Sequence, residues 1–155
     1  MKNMRRNIPR SIRSKYNFGY AEVDIEGITK TKYCAHSGIK NLDSLDNLTL
    51  TTEQKAKLSN ISVEPSEANV KFSTLNVNRQ NIVDGDGAWN RRCDSEFKIL
   101  NEIAMGLGDN VNVNGSIKLY SDLDCCPSCK GVIEQFQTKY PNIDIEVLYK
   151  TVGGD

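Results

Sequence analysis

The stretch Gly115-Ser-Ile-Lys-Leu-Tyr120, continued by Ser121-Asp-Leu-Asp-Cys-Cys-Pro-Ser-Cys129 and closed by Ile143-Asp-Ile-Glu-Val-Leu-Tyr149, holds two strand-like runs around a helical pattern within about 35 residues. Both runs read as strands. Between them Val132, Ile133, Phe136 and Tyr140 recur at helical spacing, and Pro141-Asn142 stops the helix. Strand, helix and strand over so short a span form a βαβ unit, so its two strands are expected to run parallel.

Working outward, Phe97, Leu100, Ile103, Ala104 and Leu107 predict a preceding helix, with Asp94 or Ser95 as its cap and Gly106 or Gly108 as its stop. Further upstream, residues 20–26 alternate and break at Gly27, and 32–36 form a second extended run, which together read as a hairpin. Residues 70–75 predict a third strand, and Asp84-Gly85-Asp86-Gly87 a turn that delivers the chain to Trp89. The polar segment 41–65 reads as a surface insertion with a short helix over 52–58. The predicted fold class is α/β, a three-layer-type sandwich in which helices pack on a mixed β-sheet.

A chain of 155 residues is long enough for one core and too short for two comfortable ones, so a single domain over 17–155 is expected. The formal net charge is zero, and no run approaches the roughly 18 apolar residues of a membrane span. Residues 1–16 hold six basic side chains and no acid, and lack the apolar core of a Sec leader. Such an arm either contacts phosphates or is simply solvated. Five cysteines, three of them within five positions, suit metal ligation in a reducing compartment better than a disulfide framework.

Cys126 and Cys129 stand three apart at a helix start, which brings both sulfurs to one side of the first turn, where the helix dipole favours thiolates. Thiolates bind Zn²⁺ well, and three protein ligands leave a fourth position open for chemistry. Asp94 or Cys93 could complete the set, with Glu96 near enough to move protons without being a ligand. Taken alone, Asp94-x-Glu96 is an ordinary cap followed by a first-turn acid; the Cys-x-x-Cys about thirty residues later lends it a second meaning.

These residues resemble a known family. A ligand followed two residues later by Glu, then a strand, then Cys-x-x-Cys opening a second helix, is the pattern of the zinc-dependent cytidine-deaminase superfamily. Residues 92–148, with CDSEFKILNEIA and CCPSCKGVIEQFQTKYPNIDIEV, look most like the deaminase domains at the C-termini of bacterial polymorphic toxins, which act on nucleic acids. The resemblance implies zinc held by Asp94, Cys126 and Cys129, with Glu96 as the proton shuttle. Two departures stand out: Asp94 replaces the usual histidine, which keeps Cys93 in contention as the third ligand, and Cys125 replaces the usual proline.

His36, the only histidine, is either a structural residue or, by the resemblance, a wall of the base pocket. Trp89 is either core or a stacking platform, and Arg91-Arg92 either hold phosphates or are solvated. Cys34 and Cys125 carry no assigned task.

The function implied is hydrolytic deamination of cytosine to uracil in nucleic acid. Single-stranded DNA is favoured over duplex DNA or RNA, because a neutral chain suits a stacking groove better than a wrapped duplex. The resemblance further implies a monomeric effector domain delivered into the cytoplasm of a target cell, opposed by a cognate immunity protein. Two other readings compete: a thioredoxin-like thiol oxidoreductase using Cys126 and Cys129, and a non-catalytic module whose zinc is structural and takes four protein ligands.

Overall fold

The computed structural model describes residues 18–37, 39, 51–52, 61–78, 80, 82–91, 94–121 and 127–149. The hairpin is formed by β1 (Phe18–Ile25) and β2 (Lys32–His36), paired antiparallel from Phe18 against His36 to Glu22 against Lys32. A short hairpin of β3 (Asn76–Val77) and β4 (Trp89–Asn90) precedes α1 (Ser95–Leu107). Then come β5 (Gly115–Ser121), α2 (Pro127–Lys139) and β6 (Ile143–Tyr149). The main sheet has the order β2-β1-β5-β6, with β1 antiparallel to β5 and β5 parallel to β6. The sheet is therefore mixed, and the βαβ unit has the parallel pair its spacing predicts.

Period-two alternation sends Ala21, Val23, Ile25, Tyr33, Ala35, Ile117 and Leu119 to one face, where they join Phe97, Leu100 and Ile103 of α1 and Val132 and Phe136 of α2 in one core. Both helices lie on this face and touch each other. Phe136 is the junction, its ring 5.8 Å from that of Phe72 and 4.9 Å from that of Tyr140. The Tyr140 hydroxyl donates to the Gly108 carbonyl at 2.7 Å, tying the chain just after α2 to the end of α1. Gly108 closes α1 at φ 57°, a left-handed backbone that glycine adopts without penalty. On the opposite face the charged residues Glu22, Asp24 and Lys118 are exposed, whereas Phe18, Tyr20 and Cys34 at the other end are buried.

One expectation fails. Residues 70–75 form no strand. This segment lies across the helices, and helix side chains take the place of a strand neighbour. Lys71 N–H donates to Asn101 Oδ1 at 2.8 Å, Ser73 N–H to Gln135 Oε1 at 2.9 Å and Leu75 N–H to Ser128 Oγ at 2.9 Å. Its apolar pattern is real, since Phe72 is buried, but its backbone is satisfied without a ladder. The turn at 84–87 does deliver the chain to β4, with Asp84 and Gly87 both at positive φ. Of the helix expected over 52–58, Thr52 is helical; residues 53–58, the arm 1–16 and most of the 41–65 insertion lie outside the described residues.

Candidate active site

The site gathers where α1 and α2 begin. Asp94 occupies the N-cap of α1, yet its side chain makes no cap hydrogen bond. An aspartate there ordinarily accepts a backbone N–H, a contact worth about 1 kcal/mol. Here one carboxylate oxygen, Oδ1, meets Arg91 Nη1 at 3.3 Å, and the other, Oδ2, accepts from Cys129 Sγ at 3.2 Å. Its carboxylate has turned from the helix's own N–H groups to a side chain three residues back and to another on α2.

Glu96, in the first turn of α1, would normally be solvated, but it is only 2 % exposed. Its Oε1 accepts from Ser121 Oγ at 2.5 Å, and its Oε2 accepts from Ser95 Oγ at 3.3 Å and Cys129 Sγ at 3.4 Å. Cys129 itself is buried in the first turn of α2 beside Val77, Ile133 and Val147. Asp94, Glu96, Ser121 and Cys129 thus form one buried polar group contributed by two helix starts and the end of β5.

Close approach of α1 to the sheet depends on Gly19. A Cβ at that position would sit 2.9 Å from Ser95 Oγ and 3.0 Å from Ser95 Cβ. Gly19 pairs with Ser121, so the same point of β1 admits the helix and places the serine. Lys98, fully buried one turn into α1, donates to the carbonyls of His36 and Ile39 at 2.7 and 2.8 Å, which holds the end of β2 against the helix.

The other residues singled out from sequence fall in different places. His36 has no exposed surface and pairs with Phe18; alternation from Gly19, which faces Ser95, puts its side chain on the sheet face away from α1. Trp89 is 39 % exposed on β4, with the Arg91 guanidinium 3.9 Å above its ring. Arg91 also donates from Nε to Val77 O and from Nη2 to Asn78 O, so its head is turned into the protein. Burial, opposed by the Lys30 charge and aided by Glu102, pushes the Cys34 thiol up to about 11, which keeps it protonated at neutral pH. Cys126, Cys93, Cys125 and Arg92 lie outside the described residues.

Among the described residues no group of three His, Cys, Asp or Glu side chains is set to hold a metal. The described pair nevertheless suits zinc in chemistry and spacing. Zn–S and Zn–O bonds of about 2.3 and 2.1 Å at a tetrahedral angle separate sulfur and oxygen by roughly 3.6 Å, and Asp94 Oδ2 lies 3.2 Å from Cys129 Sγ. With Cys126 as third donor, an acid and two thiols would form a borderline-soft set of the kind zinc takes.

The model of the BURPS668_1122 family of deaminases, a toxin-deaminase family, matches residues 1–151. The chain belongs to this family. No curated protein and no solved structure matches it. It is a toxin deaminase domain of the cytidine deaminase-like superfamily, and the mixed sheet with two helices packed on it is consistent with that fold. Hydrolytic deamination is the reaction this membership implies, and an effector domain the role; no described helix is long and apolar enough to cross a membrane.

The sequence left the partners of the two acids unassigned, Ser121 for Glu96 and Arg91 for Asp94. Ser121 is simply the last residue of a strand, and nothing in its type or spacing marks it as the partner of Glu96. Arg91 was noticed only as a possible phosphate ligand. Its proximity to Asp94, three residues on, was a usable signal for the ion pair.

Proposed function

We propose that this deaminase converts cytosine to uracil in nucleic acid, single-stranded DNA foremost, with zinc held by Asp94, Cys126 and Cys129 and with Glu96 as the proton carrier. The observation that carries this reading is the burial of Glu96 beside Asp94 and Cys129, with one carboxylate oxygen held by Ser121. Zinc, when bound, supplies the Lewis acidity that makes water a nucleophile near neutral pH. Glu96 accepts the proton of the attacking water and passes it to the ring nitrogen beside C4. The water oxygen bonds to C4, the bond from C4 to the exocyclic nitrogen breaks, and Glu96 delivers the second proton to the departing amine. Ammonia leaves and the 4-oxo ring of uracil remains.

A sulfur anion at Cys129 would face two carboxylates at 3.2 and 3.4 Å, which repels charge unless a cation joins them. That surrounding supports metal ligation and disfavours thiol exchange, which needs an accessible thiolate. Trp89, exposed and linked to Asp94 through Arg91, is the platform on which a flipped or unpaired base would stack. Acting in the cytoplasm of a target cell, such a monomeric toxin domain requires an immunity protein in its producer, and covering the exposed Trp89 is how that protein would block substrate.

The test incubates purified protein with single-stranded DNA, duplex DNA and RNA and sequences the products for C-to-T changes. Glu96→Gln should keep the fold and the zinc yet lose nearly all conversion. Parental conversion by Glu96→Gln would refute the mechanism, and a loss of zinc with it would make Glu96 a ligand instead.

A further inference from the structure

We propose that Arg91 is a positioning residue, which orients the Asp94 carboxylate for metal binding and couples it to the exposed ring of Trp89. Three directions of the guanidinium are fixed at once: Nε donates to Val77 O at 3.2 Å, Nη2 to Asn78 O at 2.9 Å and Nη1 to Asp94 Oδ1 at 3.3 Å. Its central carbon, Cζ, lies 3.9 Å from the centre of the Trp89 ring. The backbone is held too, Arg91 N–H donating to Leu75 O at 3.1 Å and Asp94 N–H to Arg91 O at 3.1 Å. With side-chain exposures of 12 % for Arg91 and 10 % for Asp94, the pair is shielded enough for its geometry to matter.

A guanidinium held by two carbonyls and by the carboxylate together fixes the direction from which that carboxylate is met, and each contact helps to hold the others. Oδ1 is thereby engaged, and Oδ2 is the oxygen presented to Cys129. The same rigid head spans the β3–β4 hairpin, so a displacement of Trp89 is transmitted to the acid. Lysine keeps the charge but, as a single point donor, cannot reproduce this fork.

This assignment rests in part on the zinc reading, so the experiment has two arms, both on the full chain. In the first, zinc affinity is measured by competition with a chromophoric chelator for the parent, Arg91→Lys and Arg91→Gln. Both variants should bind roughly 10- to 100-fold more weakly, as when a ligand loses its supporting partner, with unchanged circular dichroism. In the second, acrylamide quenching of Trp89, the only tryptophan, is measured without metal. Quenching should rise in Arg91→Lys and also in Asp94→Ala, where the guanidinium loses its anionic anchor. Zinc affinity in Arg91→Lys equal to or above the parent's would overturn the positioning role. Quenching in Asp94→Ala identical to the parent's would overturn the coupling. A parent that takes up no zinc would refute the metal reading alone, because the quenching arm still decides Arg91.

Discussion

A hydroxyl donating to Glu96 at 2.5 Å fixes the direction of one carboxylate oxygen. Hydrogen bonds to charged groups are worth about 1.5–3 kcal/mol, which corresponds to roughly 10- to 100-fold in rate if the bond serves the transition state. Ser121→Ala should therefore lower kcat by about that factor while leaving zinc content unchanged; an unaltered kcat would reduce Ser121 to packing. A second prediction concerns the two buried acids of β2. Burial raises the Cys34 thiol to about 11, and burial followed by the field of Glu102 raises the Tyr33 phenol to about 12. Both hold their protons longer in the folded than in the unfolded chain, so stability is full below pH ~9 and falls as pH climbs through about 11. Urea midpoints at about pH 8 and about pH 10.5 should show this loss, and Cys34→Ala should reduce it. At neutral pH the Cys34 thiol should resist alkylation in the native protein. Asp94 shows how far a residue could be read in advance. Its capping position was legible and Arg91, three residues before it, was a readable partner, whereas the turning of its carboxylate to Cys129 was not, because that thiol arrives by tertiary packing.

The helices place the chemistry only because the strands let them approach. Gly19 lacks the Cβ that would stand 2.9 Å from Ser95 Oγ, and it is the neighbour of Ser121 across the sheet. Gly19→Val should push the start of α1 outward, cost about 1–3 kcal/mol in stability and lower activity more steeply than stability alone would require. Denaturant melts paired with the deamination assay separate the two effects, and a stable, fully active variant would show that α1 has room to spare. The strands and helices themselves were legible from short-range pattern: β1 by alternation, β2, β5 and β6 as extended runs, α1 and α2 at period 3.6. Residues 70–75 show the limit of that reading. Their apolar positions match a strand, but Asn101, Gln135 and Ser128 satisfy the backbone from the helices, and no local pattern announces such partners.

At the level of the whole molecule, three polar residues from two helix starts and a fourth from a strand end meet in one buried site, and such a site is stable only when its charges are compensated. Zinc binding to the folded state should therefore raise Tm, by about 2.7 kcal/mol of added stability at a zinc concentration one hundred times Kd. Chelation should reverse the rise and Cys129→Ala should abolish it; a zinc-dependent rise that survives Cys129→Ala would place the metal elsewhere. The sequence by itself determined the α/β class, the hairpin and the parallel βαβ pair, and it offered Glu96, Asp94, Cys126 and Cys129 as candidates for proton transfer and metal ligation. Hydrophobic period, turn residues and the reactivity of thiols and carboxylates are local properties, readable in one dimension. Only the tertiary structure decided that the Asp94 side chain turns to Cys129, that Ser121 holds Glu96, that residues 70–75 serve the helices instead of a sheet, and that His36 belongs to the face away from α1. Those outcomes depend on which groups are left to satisfy one another once the chain has excluded water, and that pairing is settled in space.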